Sequence, residues 1–187
     1  MINNKEHALT PEQKELAAAS LCANVQTLPE YKEAKNIALY WPHDEEIDTL
    51  PILNNALHKH KTCSLPVLLI DPRQKLAFAV YTAETPLIKN RYGILEPDLA
   101  YAPLIGLTDL DVVFVPVVGF DRTGRRLGRG GGFYDATFAD LHQASHKKWP
   151  NLIGLAFSCQ EVDEIPDDSW DWRLNTIVTE REVLQFS

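Results

Sequence analysis

The run VVFVPV at residues 112–117 decides the fold class of this sequence. Its apolar residues do not alternate with polar ones, which is typical of a parallel strand buried on both faces of a sheet. Pro116 has no backbone N–H, so we expect it near the end of the strand. A second apolar run, LIGLAF, occupies residues 152–157. Between the two runs lie a glycine-rich loop and three apolar residues at helical spacing: Tyr134, Phe138 and Leu141. The whole segment predicts a βαβ unit with residues 112–117 in a central strand.

Apolar runs on either side of this unit predict the rest of the sheet. They lie at residues 36–41, 63–69, 76–81 and 176–179. Two helices are expected, one over residues 10–26 and one near residues 49–60. The first begins with a capping box, because Thr10 precedes Pro11 and Gln13 follows three residues after the cap.

Strands that alternate with helices predict an α/β fold. We expect a single domain over residues 1–187, with an open, mostly parallel sheet flanked by helices in a Rossmann-like, three-layer arrangement. Ligands of such sheets bind in the crevice beyond the carboxyl ends of the strands, where the glycine-rich loop is expected. The proline-dotted residues 84–109 are expected to cover this crevice as an irregular loop.

Composition excludes several classes of protein. The chain of 187 residues carries 18 Lys and Arg against 26 Asp and Glu, a net charge of −8, which disfavours binding to nucleic acid. The longest nearly apolar run is about half of the roughly 20 residues that span a membrane, and no secretory signal begins the sequence. Three widely spaced cysteines fit neither disulfides nor zinc. No HExxH or GxSxG motif supports hydrolase chemistry. We therefore expect a cytoplasmic monomer that acts on small molecules.

The stretch DRTGRRLGRGGGFYD at residues 121–135 indicates an anion-binding site. Glycines without a Cβ let successive backbone N–H groups converge on phosphate oxygens, and the N-terminus of the next helix adds to their field. Four arginines add positive charge: Arg122, Arg125, Arg126 and Arg129. The loop matches neither the Walker A motif nor the dinucleotide fingerprint. The competing interpretation is a surface turn that happens to be rich in glycine.

The same stretch closely resembles the 5-formyltetrahydrofolate cyclo-ligase family, also called methenyltetrahydrofolate synthetase. The family signature has the form RLG-x-GGG-Y/F-YD, and residues 126–135 read RLGRGGGFYD. Other landmarks follow the family order across about residues 10–180. They are the acidic loop at residues 45–49, G-I-x-EP at 93–97, the DLDVVFVP strand with FD-x-x-G at 109–124, IGLAFSCQ at 153–160 and TIVTE at 176–180.

The resemblance implies an ATP-dependent ring closure that needs Mg²⁺ and converts 5-formyltetrahydrofolate to 5,10-methenyltetrahydrofolate, releasing ADP and phosphate. The formyl oxygen would first take the γ-phosphoryl group, and the neighbouring anilino nitrogen would then attack the activated carbon. Such chemistry needs charge neutralisation, positioning and exclusion of water. An alternative from a different class is a phosphate-ligand module without turnover or of the isomerase type.

Site residues follow from the resemblance, position by position. The ATP-binding set is Arg126, Leu127, Gly128, Arg129, Gly130, Gly131, Gly132, Phe133 and Tyr134. The folate-binding set is Trp41, Glu46, Arg129, Gly130, Gly131, Gly132 and Phe133. The catalytic residues implied are Arg129 and Tyr134, and the Mg²⁺ ligands are Asp135 and Asp171.

Each of these side chains also has a simpler interpretation. Trp41 can close the core beside its neighbouring proline, and Tyr134 can be a core residue at helical spacing from Phe138. Asp135 can be an acidic first-turn residue that favours the helix dipole. Asp171 lies in an acidic run that is typical of a solvated loop.

Overall fold

The computed structural model describes residues 9–43, 45–139, 148–166 and 172–186. The helices are α1 (Pro11–Val25), α2 (Pro29–Glu33), α3 (Leu50–His58) and α4 (Phe133–Phe138). The strands are β1 (Asn36–Ala38), β2 (Thr62–Leu68), β3 (Leu76–Tyr81), β4 (Leu87–Lys89), β5 (Leu95–Pro97), β6 (Leu104–Ile105), β7 (Val112–Pro116), β8 (Gly119–Phe120), β9 (Arg126–Leu127), β10 (Asn151–Leu155), β11 (Thr176–Val178) and β12 (Val183–Gln185).

Within the described residues, eight strands form one sheet in the order β12-β11-β10-β7-β1-β2-β3-β6. The five strands from β11 to β2 run parallel, and the outer strands β12, β3 and β6 pair antiparallel. This arrangement confirms the predicted mostly parallel α/β sheet. It also places β7 between β10 and β1, as the unbroken apolar run predicts.

The sheet is buried on both faces. Val112 and Phe114 belong to the apolar cluster that also contains residues of α1 and α3. Val113 and Val115 belong to the cluster on the opposite face, with Phe138 of α4. Successive strand residues point to opposite faces, so two helical layers sandwich β7. Thr10 caps α1 with the predicted capping box.

The expectation that residues 84–109 are irregular is wrong in part. Strands β4 and β5 form a hairpin there, and β6 extends the main sheet. Glu96 in β5 accepts hydrogen bonds from the Leu68 backbone N–H at 3.0 Å and from the Asn90 side chain at 3.4 Å. These contacts hold the hairpin against β2. The prediction that the segment covers the crevice is correct, because Asn90, Tyr92 and Ile94 line its cavity.

Several other predicted boundaries shift. Strand β1 ends at Ala38, so Trp41 lies in the loop that follows it. The elements α2, β8, β9 and β12 are all short, and none of them is predicted from the sequence. Cys22, Cys63 and Cys159 are free thiols. Leu141 lies outside the described residues. No helix in the described part of the chain is both long and apolar enough to cross a membrane.

Candidate active site

A cavity of about 660 Å³ opens beyond the carboxyl ends of the central parallel strands. Pro116 at the end of β7, Leu68 at the end of β2 and Trp41 after β1 all line it. The volume lies within the usual range for small-molecule sites, about 300–1,000 Å³. The glycine-rich loop, the β4–β5 hairpin and the acidic loop after β1 form its walls, so the crevice lies where the sequence predicts it.

The backbone of the glycine-rich loop adopts conformations that favour glycine. Gly130 and Gly132 have φ values of +89° and +68°, in the left-handed region. A Cβ placed on either residue would have no heavy atom within 4 Å. At Gly131, a Cβ would lie 3.0 Å from the Phe133 ring. The backbone conformation therefore disfavours a side chain at Gly130 and Gly132. At Gly131, a side chain is disfavoured by the nearby Phe133 ring.

Arg126 sits at the entrance of this loop, held by two side chains. Its guanidinium carbon lies 3.7 Å from the centre of the Trp172 ring, a stacking contact. Its Nη2 makes an ion pair with Asp135 in the first turn of α4. The Arg126 side chain is only 8% exposed, whereas that of Asp135 is 56% exposed. The guanidinium is thus fixed in the cavity wall, and the carboxylate faces solvent at its rim.

The four arginines of the loop do not act together as the sequence suggests. Arg122 pairs with Glu161 at 2.7 Å and Glu182 at 2.8 Å, and it does not line the cavity. The expectation that Arg122 adds positive charge to the anion-binding site is therefore wrong, because its guanidinium is paired with carboxylates outside the site. Arg125 does line the cavity, and it donates to the Ile165 carbonyl at 3.3 Å. The loop arginines that line the cavity are Arg125, Arg126 and Arg129, and Arg173 lines it as well.

Glu46 and Arg129 approach each other in the cavity wall. Its Oε1 lies 3.9 Å from Arg129 Nη1, and its Oε2 accepts a hydrogen bond from the His43 backbone N–H at 2.9 Å. Burial raises the pKa of Glu46, and the His43 hydrogen bond and the Arg129 charge offset part of that rise. A largely buried carboxylate in this position can accept hydrogen bonds from ligand N–H groups.

Trp41 and Tyr134 both line the cavity, and both also pack against the core as their simpler interpretations expect. Tyr134 lies 6.1 Å from Phe138 between ring centres. Burial raises the pKa of the Tyr134 hydroxyl, and the nearby Glu46 charge raises it further. The phenol therefore stays protonated and remains a hydrogen-bond donor at neutral pH.

The tip of the β4–β5 hairpin contributes residues that sequence reasoning did not assign to the site. Tyr92 packs edge-on against Phe133, with ring centres 5.9 Å apart. The Arg91 guanidinium lies 5.1 Å from the Tyr92 ring centre. The G-I-x-EP landmark marked the second half of this hairpin, but only the fold shows that its tip reaches the glycine-rich loop.

Of the two predicted metal ligands, only Asp135 lies in the described part of the chain, and Asp171 is outside it. Within the described residues, no three or more His, Cys, Asp or Glu side chains are arranged so that they could hold a metal ion together. Mg²⁺ often uses only one or two protein carboxylates, with water and phosphate oxygens completing its shell. The exposed Asp135 carboxylate beside the glycine-rich loop fits that chemistry, although Arg126 pairs with it here.

Comparison with known proteins points to one family. The model of the 5-formyltetrahydrofolate cyclo-ligase family matches residues 1–180. The 5-formyltetrahydrofolate cyclo-ligase of Haemophilus influenzae is 39% identical over 163 residues, which cover 87% of this chain and 85% of that protein. The enzyme of the same name from Escherichia coli K12 is 35% identical over the full length of both chains.

Solved structures agree with this assignment. The NMR structure of Aquifex aeolicus 5,10-methenyltetrahydrofolate synthetase has a TM-score of 0.79 and 29% identity, and the match covers 98% of this chain and 88% of that one. A 5,10-methenyltetrahydrofolate synthetase from Mycoplasma pneumoniae has a TM-score of 0.70 at 23% identity, covering 96% and 94%, and it supports the fold.

Proposed function

This chain belongs to the 5-formyltetrahydrofolate cyclo-ligase family, and we propose that it carries out the family's reaction in the cavity at the end of the parallel strands. The activity is the ATP-dependent closure of 5-formyltetrahydrofolate to 5,10-methenyltetrahydrofolate. A phosphate-binding module without turnover is not favoured, because the matched relatives are named as ligases and synthetases. Cytoplasmic location and a monomeric state stay predictions from the sequence.

In the proposed reaction, the formyl oxygen attacks the γ-phosphorus in line, and the bond from that phosphorus to the β–γ bridging oxygen breaks to release ADP. The product is an iminium phosphate with a carbon–oxygen–phosphorus linkage. The anilino nitrogen then attacks this carbon and loses its proton. The carbon–oxygen bond breaks, phosphate leaves with the electron pair, and the methenyl bridge remains.

The triphosphate is proposed to lie along the glycine-rich loop, within the ATP-binding set of residues 126–134. Open space at the Cβ positions of Gly130 and Gly132 lets a ligand approach the backbone closely. Arg126 and Arg129 supply positive charge on the same wall. Their guanidinium groups would neutralise the charge that develops as the phosphoryl group transfers.

The pterin is proposed to bind on the opposite wall. Glu46 would accept hydrogen bonds from the amino and ring N–H groups, and Trp41 would stack on the ring. Arg129, 3.9 Å from Glu46, reaches both ligands. Residues 130–133 line the same cavity and are proposed to contact the folate as well. Tyr134, protonated beside Glu46, would donate a hydrogen bond to the reacting oxygen.

Mg²⁺ is proposed to be held by Asp135 at the rim of the cavity, with Asp171 as a second ligand outside the described residues. When bound, the cation supplies charge neutralisation at the phosphate oxygens. Before binding, the pair with Arg126 compensates the Asp135 charge. When Mg-ATP binds, Arg126 would pair with the phosphates and Asp135 would bind the cation.

The observation that carries this proposal is the convergence of Arg129, Glu46 and the glycine-rich loop on one cavity. The test is a single turnover with substrate that carries oxygen-18 in the formyl group. Transfer through the formyl oxygen predicts that the label appears in the released phosphate. Unlabelled phosphate accompanying methenyl product would contradict the proposed order of steps.

A further inference from the structure

The side chain of Thr137 joins two walls of the cavity. Its hydroxyl donates to the Phe133 carbonyl at 2.6 Å, within the first turn of α4. The same oxygen accepts a hydrogen bond from the Leu76 backbone N–H at 2.8 Å, at the start of β3. Thr137 is 8% exposed, so water does not replace these bonds readily. One hydroxyl therefore ties the end of the glycine-rich loop to the edge of the sheet.

Residues 130–132 of the glycine-rich loop are glycines, so they have no side chains that could pack and hold the backbone in place. The Cβ positions of Gly130 and Gly132 face open space, and the loop is fixed at its ends. At the start, Arg126 is held by Trp172 and Asp135. At the other end, Phe133 begins α4, and its carbonyl is the group that Thr137 binds.

We infer that Thr137 is a positioning residue for the nucleotide, because its hydroxyl fixes α4 and with it the phosphate-binding form of the loop. This inference rests on the proposed function for the location of ATP. Leu76, the second partner, lines the cavity too, so loss of the hydroxyl would loosen both walls. Thr137 itself is not among the residues that line this cavity.

The test compares Thr137→Val with Thr137→Ser. Valine keeps the volume and branching of threonine but removes both hydrogen bonds, and it leaves the Leu76 N–H without this partner. Serine keeps the hydroxyl and removes only the methyl group. We expect the Kd and KM for Mg-ATP to rise about fivefold or more in Thr137→Val and to stay within about twofold of wild type in Thr137→Ser.

The split between constants separates positioning from stability. Glu46 and Trp41 belong to the loop after β1, which Thr137 does not bind, so KM for 5-formyltetrahydrofolate should rise less than KM for Mg-ATP. Circular dichroism and thermal melting check the fold, and Thr137→Ala replaces the valine variant if that variant does not fold. An unchanged Kd for Mg-ATP in a folded variant without the hydroxyl overturns the inference, even if its melting temperature falls. Equal losses in the serine and valine variants overturn it as well.

Failure of the proposed function gives a different result. Wild-type protein that binds Mg-ATP but forms no methenyl product would refute the function. The Kd for Mg-ATP can be measured by calorimetry without folate in wild type and in Thr137→Val. The ratio of these two constants would still decide the role of Thr137.

Discussion

Gly132 gives the sharpest test of how the glycine-rich loop works. Its backbone has φ +68° and ψ 8°, and it caps α4 in the left-handed conformation. An added Cβ would have no heavy atom within 4 Å, so a side chain there meets no steric obstacle in the free protein. The cost of substitution in the free protein is therefore the cost of the backbone conformation alone. For an L-residue that cost is about 1–2 kcal/mol.

This energy becomes a loss of nucleotide affinity because the loop of the free variant can relax out of the left-handed conformation, and ATP binding must then restore it. A penalty of about 1–2 kcal/mol corresponds to a roughly 5- to 30-fold weaker Kd for Mg-ATP, since about 1.4 kcal/mol is tenfold. Gly132→Ala should fall in this range. Gly132→Asn should lose less, because asparagine tolerates the left-handed region. Gly132→Val should lose most, since a β-branched residue is a strong outlier there.

The assay is calorimetric titration of Mg-ATP into wild type and the three variants. Gly93→Ala is a matched control, because Gly93 has φ +76° and equally open space but lies in the β4–β5 turn. That variant should lose stability and keep its affinity for Mg-ATP. If the loss of affinity for Mg-ATP instead follows side-chain size, so that Gly132→Asn binds more weakly than Gly132→Ala, the conformational argument is refuted. That result would indicate that the side chain obstructs the ligand directly.

Three further predictions test the charges of the chain. Arg129→Ala and Asp135→Ala should each lower kcat by about tenfold or more with the fold intact, because each removes charge compensation at the phosphates; wild-type rates would remove them from the proposed machinery. Glu46→Gln should raise KM for folate. In wild type, this KM should rise as the pH falls through the raised pKa of Glu46, because the carboxylate becomes protonated. The variant should not show this pH dependence. Burial favours a higher pKa for Asp111, yet hydrogen bonds from Lys148 and two backbone N–H groups lower it to about 2. Its stabilisation is present above its ordinary pKa and is lost as pH falls toward 2. Asp111→Asn should therefore melt lower at pH 7 and show a flatter loss in acid, whereas an unchanged acid profile would contradict the assignment.

The sequence predicts the parallel centre of the sheet well because that part depends on local pattern. Residues 112–117 lack polar alternation, and the structure buries Val113 and Phe114 on opposite faces. The edges depend on partners far along the chain. Strand β6 has two residues and pairs with β3, so its sequence alone carries no period to detect. The hairpin in residues 84–109 is held by Glu96, whose partner Leu68 lies 28 residues away.

Site residues that are close together in the sequence are predicted, whereas those that only the fold brings together are not. The residues of the loop are contiguous, so the signature at 126–135 names them together. The resemblance names Arg129 and Glu46 separately as folate-binding residues, and the fold brings their side chains to 3.9 Å from each other. Sequence proximity misled in one case, since Arg122 lies near the other arginines but faces Glu161. Trp172 and Tyr92 were missed because only the fold brings them to Arg126 and Phe133.

The most direct measurement is the initial rate at which methenyl absorbance appears when purified protein is mixed with 5-formyltetrahydrofolate and Mg-ATP. The cavity described here predicts product only when both substrates are present, with one ADP released for each methenyl bridge formed. Folded protein that binds both ligands yet gives no absorbance change, or that releases ADP without ring closure, would contradict it.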